Sequence, residues 1–452
     1  MQKVITKYGL AAHLAILAVA PLFLSPLCVL WLTGLAAIWL LMEPSRIGGE
    51  MLHDARWRVK LAIVRDPLFW FSLVVVAYAA TRFLNDGVAL VYDAENSAWS
   101  FGRPKMPILP GSVTGMGAVE FAAAVAMLVI LQGCRHGLGK AARMVFLLLS
   151  SSFSGLCAVT LGVMIASGSE LAGGLMRCDW LSPVFLGSIF GVYLLIGTVA
   201  VLFLYERKWR RAMLLVSLSV GGNVAGLFLF APPAVHLLFL VGEALILLYL
   251  FVYARKALPG SGEFKVLVTF SLAVTLGIVF VVFVMPEPLL QERLKAFETR
   301  AFFPDGFWTL RKGLSDLSLK IWKDYPWVGS GLGAFPLGLK FFAEEADWIL
   351  IQPQQTMPLN GYWGLLVERG VIGALVFVCV LGFLAWTFSV RLIQAGFRAL
   401  PHPACLLGPI VLIVLAAESM VDGALIVSGM TVAVTAALSL SAGFFQKERR
   451  DG

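Results

Sequence analysis

Charge is what this sequence has least of. Only 14% of its 452 residues are Asp, Glu, Lys or Arg, whereas 59% are hydrophobic, and the mean hydropathy is +0.87. Soluble domains carry about 25% charged residues, so this chain cannot cover itself with a polar surface, and a water-soluble domain is excluded. Cysteine is sparse too. The six residues, at 28, 134, 157, 178, 379 and 405, contain no CxxC pair, which argues against both a disulfide framework and a zinc site. The net charge of +8 does not point to nucleic acid. Lys and Arg sit in short segments between apolar runs, without a basic groove or interleaved aromatics. No nucleic-acid partner, metal or cofactor is expected.

What the chain has in quantity is apolar sequence. A bilayer core takes about 20 apolar residues per helix. Candidate spans cover 8–24, 26–42, 67–84, 113–133, 144–167, 183–204, 213–230, 234–252, 266–285, 361–388, 403–420 and 424–445. The opening "MQKVITK" and its apolar run imitate a leader, but apolar character continues to Met42, so two spans bent at Pro21 and Pro26 are expected. With the N-terminus inside, every inward loop is short and basic, from Arg46–Arg65 through "YERKWRRA" (205–212) to the tail "KERRDG". That asymmetry sets topology. The expected fold is therefore all-α: a single polytopic membrane domain over 1–452, with about twelve transmembrane helices and both termini cytoplasmic.

One outward segment, 286–360, is the only long hydrophilic stretch. Loops of this length are functional or disordered. Within it Leu310, Leu314, Leu317 and Ile321 recur at helical spacing, with Arg311, Lys312, Ser315, Asp316 and Lys320 largely opposite. The spacing predicts an interfacial helix whose cations face headgroups or an anionic ligand. "DYPWVGSGLGAF" (324–335) follows it. A Walker loop needs a Lys after its last glycine, and a Rossmann loop needs G-x-G-x-x-G after a strand. Neither is present, so a tight turn in which glycine supplies positive φ is expected.

Residues 360–373 read "NGYWGLLVERGVIG". A proline and an alternating-glycine turn closed by Phe (Pro326, Gly329, Gly331, Gly333, Phe335) precede Tyr362, Leu365, Leu366, Glu368, Gly370 and Gly373 at the entry of a span. In order and spacing this resembles the O-antigen ligase and polymerase family, over a core of about 213–390 with the closest match from Arg311 to Gly373. The resemblance implies a GT-C-like glycosyltransferase of the bacterial inner membrane. Such an enzyme moves a glycan from undecaprenyl diphosphate to a hydroxyl on a glycan or glycolipid acceptor, without nucleotide sugar or metal. Arg311, 15 residues before Pro326, matches the family's loop arginine and would bind the diphosphate with help from Lys312 and Arg300. The family's histidine position is Leu359, and its Ser-Arg-Gly motif is absent around 231–236. The general base is thus unassigned, with His236, Glu345 and Glu368 as candidates.

Each candidate also has a plain structural reading. A histidine near a helix end is often structural, the acidic run at Glu344, Glu345 and Asp347 reads as a solvated face, and Glu368 with Arg369 reads as a packing pair. Charges inside spans are expensive. Arg82 is expected to snorkel to the interface, whereas Glu120, Glu243 and Glu418 lie deeper and require partners that the sequence does not name. Two other readings stay open: a homologue that binds lipid-linked glycan without transferring it, and a solute transporter.

Overall fold

The computed structural model describes residues 2–20, 25–42, 60–85, 89–93, 98–102, 116–167, 183–207, 210–257, 262–284, 291, 307–342, 360–395, 402–420 and 434–438. These form α1 (Gln2–Val19), α2 (Pro26–Met42), α3 (Pro67–Leu84), α4 (Met116–Gln132), α5 (Lys140–Ala166), α6 (Pro183–Arg207), α7 (Arg210–Phe230), α8 (Pro233–Ala257), α9 (Gly262–Val284), α10 (Phe307–Asp324), α11 (Phe335–Phe342), α12 (Gly361–Ala395) and α13 (Ala404–Glu418). The first eleven predicted spans each coincide with a helix. The twelfth, 424–445, is described only at 434–438, where it is helical. Among the described residues, the exception to helix is a hairpin in the 85–112 segment. Its strands, β1 (Ala89–Asp93) and β2 (Ala98–Gly102), run antiparallel with Ala89 opposite Gly102.

Pro67–Leu84, Met116–Gly137, Ala141–Ile165 and Ala234–Lys256 are long and apolar enough to cross a bilayer, and six shorter apolar helices accompany them. The distribution of side chains agrees with lipid as solvent. On α8, Leu237, Leu240, Val241, Leu245, Leu248 and Phe251 form an exposed stripe at helical spacing. The interior, by contrast, holds hydroxyls and amides. Asn223 of α7 donates to the Ser151 and Ser219 carbonyls at 3.0 and 2.9 Å and accepts from Ser154 at 2.8 Å. A Cβ on Gly155 would overlap the Ser219 backbone, so α5 and α7 touch main chain to main chain. Small residues and buried hydrogen bonds are the means by which helices associate where no hydrophobic effect drives them together. This is the packing of an α-helical membrane protein, with α7 at its centre between α5, α6 and α9.

The start of α3 and the end of α4 are tied by a buried ionic cluster. Asp66 caps α3 by accepting from Leu68 N–H at 3.1 Å. Its two oxygens also take both prongs of Arg135 at 2.6 and 3.1 Å, and His136 Nε2 lies 3.0 Å from Oδ2. Arg135 and His136 belong to a π-helical turn, Gly133–Gly137, which widens the end of α4. Arg143 closes that turn by donating to the Cys134 and Arg135 carbonyls at 2.6 and 3.0 Å. Two of the cations that mark this loop as basic in the sequence are therefore buried structural groups.

Burial pushes the Asp66 carboxyl up. The His136 hydrogen bond, the Arg135 charge and the Leu68 N–H together outweigh it and hold the group below its ordinary value of 3.8. A lowered folded-state value means stability that is complete above 3.8 and lost as the pH falls through the lowered value. Asp66→Asn should destabilise the detergent-solubilised protein by about 3 kcal/mol, because it leaves Arg135 buried without its anion. Thermal melts as a function of pH should show a shallower acid limb for the variant than for the parent.

Candidate functional site

α10 has the apolar spacing read from the sequence. Leu314, Leu317 and Ile321 are buried against Phe335 and Leu339 of α11 and Val367 of α12. The apolar face is covered by protein, which the spacing alone did not name. Lys312, Lys320 and Lys323 remain on the exposed side, as do Trp308 and Trp327.

After α10 the chain enters the glycine turn. Gly329, Gly331 and Gly333 have φ of 76°, 108° and 75°, as expected of a turn built on glycine. The turn is clipped to α12, where the sequence pattern predicts an unbroken span over 361–388. The structure instead interrupts that helix at Gly370, with φ 63° and ψ −173°, a conformation open essentially to glycine alone. In a continuous helix Val371 and Ile372 would donate to the carbonyls of Val367 and Glu368. Here Val371 N–H goes to the Pro326 carbonyl at 2.9 Å and Ile372 N–H to that of Trp327 at 3.0 Å. The vacated carbonyls accept from Ser330 N–H at 2.8 Å and Gly331 N–H at 3.2 Å. Two helical bonds are thereby exchanged for four between turn and helix. A Cβ on Gly329 would overlap the Glu368 backbone, and one on Gly370 would overlap Trp327, so neither glycine is replaceable without displacement.

The turn's donors are spent on its own chain. Gly333 N–H donates to Glu368 Oε1 at 3.0 Å, so the acceptor in this glycine loop is the protein's own carboxyl group. This gives a physical reason, beyond motif grammar, why the loop does not cradle a phosphate.

Behind the clip lies a buried ionic cluster. Arg82 is fully buried rather than snorkelled. Its guanidinium donates to the Glu368 carbonyl at 3.3 Å, pairs through Nε with Glu120 Oε2 at 3.3 Å, and lies 5.7 Å from the Tyr78 ring centroid. Arg369 binds the other Glu120 oxygen at 2.6 Å. Glu120 thus joins the end of α3, the second turn of α4 and the break in α12. Gly373 leaves room for the Tyr78 hydroxyl, which a Cβ there would strike.

Arg311 stands elsewhere, at the C-terminus of α13. It donates to the Met420 carbonyl, and its guanidinium lies 5.4 Å from the Trp308 ring centroid. A cation at a helix C-terminus is favoured by the helix dipole. The first residues of α12 meet the same helix end: Tyr362 hydroxyl donates to the Ala416 carbonyl at 2.9 Å and Gly361 N–H to that of Ser419 at 2.8 Å. Asn360 caps α12, accepting from Tyr362 N–H at 3.0 Å. Arg311, Tyr362 and the position that follows Leu359 therefore converge. His236 lies on α8 with its ring centroid 5.5 Å from that of Phe228 of α7. Arg300, Glu345 and Leu359 lie outside the described residues.

No family model matches this chain, and no curated protein is similar to it. The roles of its residues rest on the geometry above. Sequence reasoning missed the Arg82–Glu120–Arg369 cluster. Its signal was nevertheless present, since opposite charges at the end of one predicted span and the start of the next are placed to meet.

Gly370→Ala should lower stability by about 1–3 kcal/mol from backbone strain alone. Glu368→Ala should cost about 1–3 kcal/mol by orphaning the Gly333 N–H. Glu368→Gln keeps an acceptor and should lose less than Glu368→Ala. Tryptophan-fluorescence melts of the three purified variants would rank them.

Proposed function

We propose that this chain is a membrane glycosyltransferase of the O-antigen ligase or polymerase type, with about twelve spans and its 286–360 segment on the outer face of a bacterial inner membrane. The observation that carries this reading is the meeting of its two motif-bearing segments. "DYPWVGSGLGAF" is hydrogen-bonded to Val367, Glu368, Val371 and Ile372, which surround the break at Gly370, and Arg311 and Tyr362 both donate to carbonyls at the end of α13.

The donor is a glycan on undecaprenyl diphosphate and the acceptor a hydroxyl of a glycan or glycolipid. Arg311 holds the Met420 carbonyl through one nitrogen, and a guanidinium has five N–H donors in a planar fork. The remaining donors, with Lys312 exposed beside it, suit the oxygens of a leaving diphosphate. Neutralising that leaving group lets the bond from the sugar's anomeric carbon to phosphate oxygen break as the acceptor hydroxyl attacks. Glu368 gives its Oε1 to the Gly333 N–H of the glycine turn, and its Oε2 has no hydrogen-bond partner among the described residues.

A second reading, a homologue that binds lipid-linked glycan without transferring it, is favoured by Leu359 at the family's histidine position.

Arg311→Ala should abolish surface polysaccharide on gels at unchanged protein level, and Arg311→Lys should restore part of it, since an ammonium keeps the charge without the fork. Purified protein with a synthetic undecaprenyl-diphosphate oligosaccharide separates the readings. Turnover supports the transferase, binding without turnover supports the homologue, and neither binding nor turnover would sink both.

A further inference from the structure

The start of α10 carries three side chains of different chemistry on one face. Trp308, Arg311 and Lys312 stand at positions i, i+3 and i+4, which are neighbours on a helix surface. α10 is held to α11 and α12 by Leu314, Leu317 and Ile321, and none of the three takes part in that packing. Trp308 remains 60% exposed even with the Arg311 guanidinium 5.4 Å from its ring centroid. A cation within about 6 Å of an aromatic centroid is attracted to the ring's negative face. Arg311 is therefore fixed twice, by this indole and by the Met420 carbonyl at the end of α13. Lys312 is exposed beside them.

In a lipid-linked glycan the first sugar is joined through its anomeric carbon directly to a phosphate oxygen. A guanidinium N–H holds such an oxygen at about 2.8 Å, and the sugar ring begins one bond beyond it. A sugar on a diphosphate held by Arg311 is thus within reach of the Trp308 ring. The two surfaces suit each other. One face of a pyranose presents C–H bonds that are apolar and carry partial positive charge, whereas the face of an indole carries partial negative charge. An exposed tryptophan also suits the headgroup boundary of a bilayer. The contact with Arg311 favours the sugar, because it sets the indole against the group that takes the diphosphate.

Resting on the transferase reading, we propose that Trp308 is the platform for the first sugar of the lipid-linked donor. The indole stacks on the pyranose while Arg311 and Lys312 hold the diphosphate to which it is joined. Trp308 reads the glycan and the two cations read the leaving group, so the start of α10 recognises both sides of the bond that breaks.

The test is equilibrium binding to the full chain in nanodiscs of uncharged lipid, with two probes. One is undecaprenyl diphosphate bearing a single N-acetylhexosamine, and the other is undecaprenyl diphosphate without sugar. Trp308→Ala should weaken binding of the sugar-bearing lipid by about three- to tenfold and leave that of the sugarless lipid unchanged. Trp308→Phe, which keeps an aromatic face and melts as the wild type does, should retain part of the lost affinity. Arg311→Ala should weaken both lipids. A Trp308→Ala protein that loses affinity for both lipids in equal proportion would show that the indole acts only through Arg311, and would overturn the proposal. One that keeps its affinity for both would leave Trp308 as a headgroup anchor, with the same consequence. In either case the transferase reading stands. A wild type that binds neither lipid removes the diphosphate site itself, and that reading falls with the platform.

Discussion

Where water is absent, a backbone N–H or carbonyl without a partner costs several kcal/mol, and a helix can be interrupted only if something else supplies the missing bonds. The break at Gly370 meets that condition through the glycine turn. Pro326 and Trp327 offer carbonyls to Val371 and Ile372, and Ser330 and Gly331 offer N–H groups to Val367 and Glu368. Turn and break are thus one feature divided between two parts of the sequence. α10 and α11 owe their position to it, since the same turn that satisfies α12 sets Leu314, Leu317, Ile321 and Phe335 against Val367.

The charges are arranged around that constraint. The antiparallel pair α3–α4 is pinned at one end by Asp66 with Arg135 and His136, and at the other by Arg82 with Glu120. A buried ion pair is weak evidence of net stability, but removing one partner is costly, so such pairs act as register pins. The Arg82 end does more than pin: it supports the Glu368 carbonyl at the break and, through Glu120, holds Arg369. α12 enters the bundle at a place decided by side chains from α3 and α4.

The end of α13 gathers the groups suited to chemistry. Its last carbonyls accept from Tyr362, Gly361 and Arg311, and Glu418 lies just inside them with Ser188. The Arg311 guanidinium and the buried Glu418 carboxyl therefore stand at one helix end.

Much of this was legible in the sequence because it depends on local periodicity and bulk composition. Apolar runs located α1–α9, α12 and α13, the spacing of Leu314, Leu317 and Ile321 located α10, and three alternating glycines marked a turn with positive φ. What sits opposite what was not legible. Arg82 reads as a snorkelling residue until α4 brings Glu120 within 3.3 Å. Gly370 reads as a helix glycine until the turn takes over the bonds of its neighbours. That Glu368 Oε1 accepts from the Gly333 N–H, 35 residues away, is likewise not written in the local pattern. Periodicity follows from the chain's own geometry, repeated every few residues, and so is written along the sequence. Pairing between residues tens to hundreds of positions apart is settled only when the helices pack and each buried polar group must find a partner.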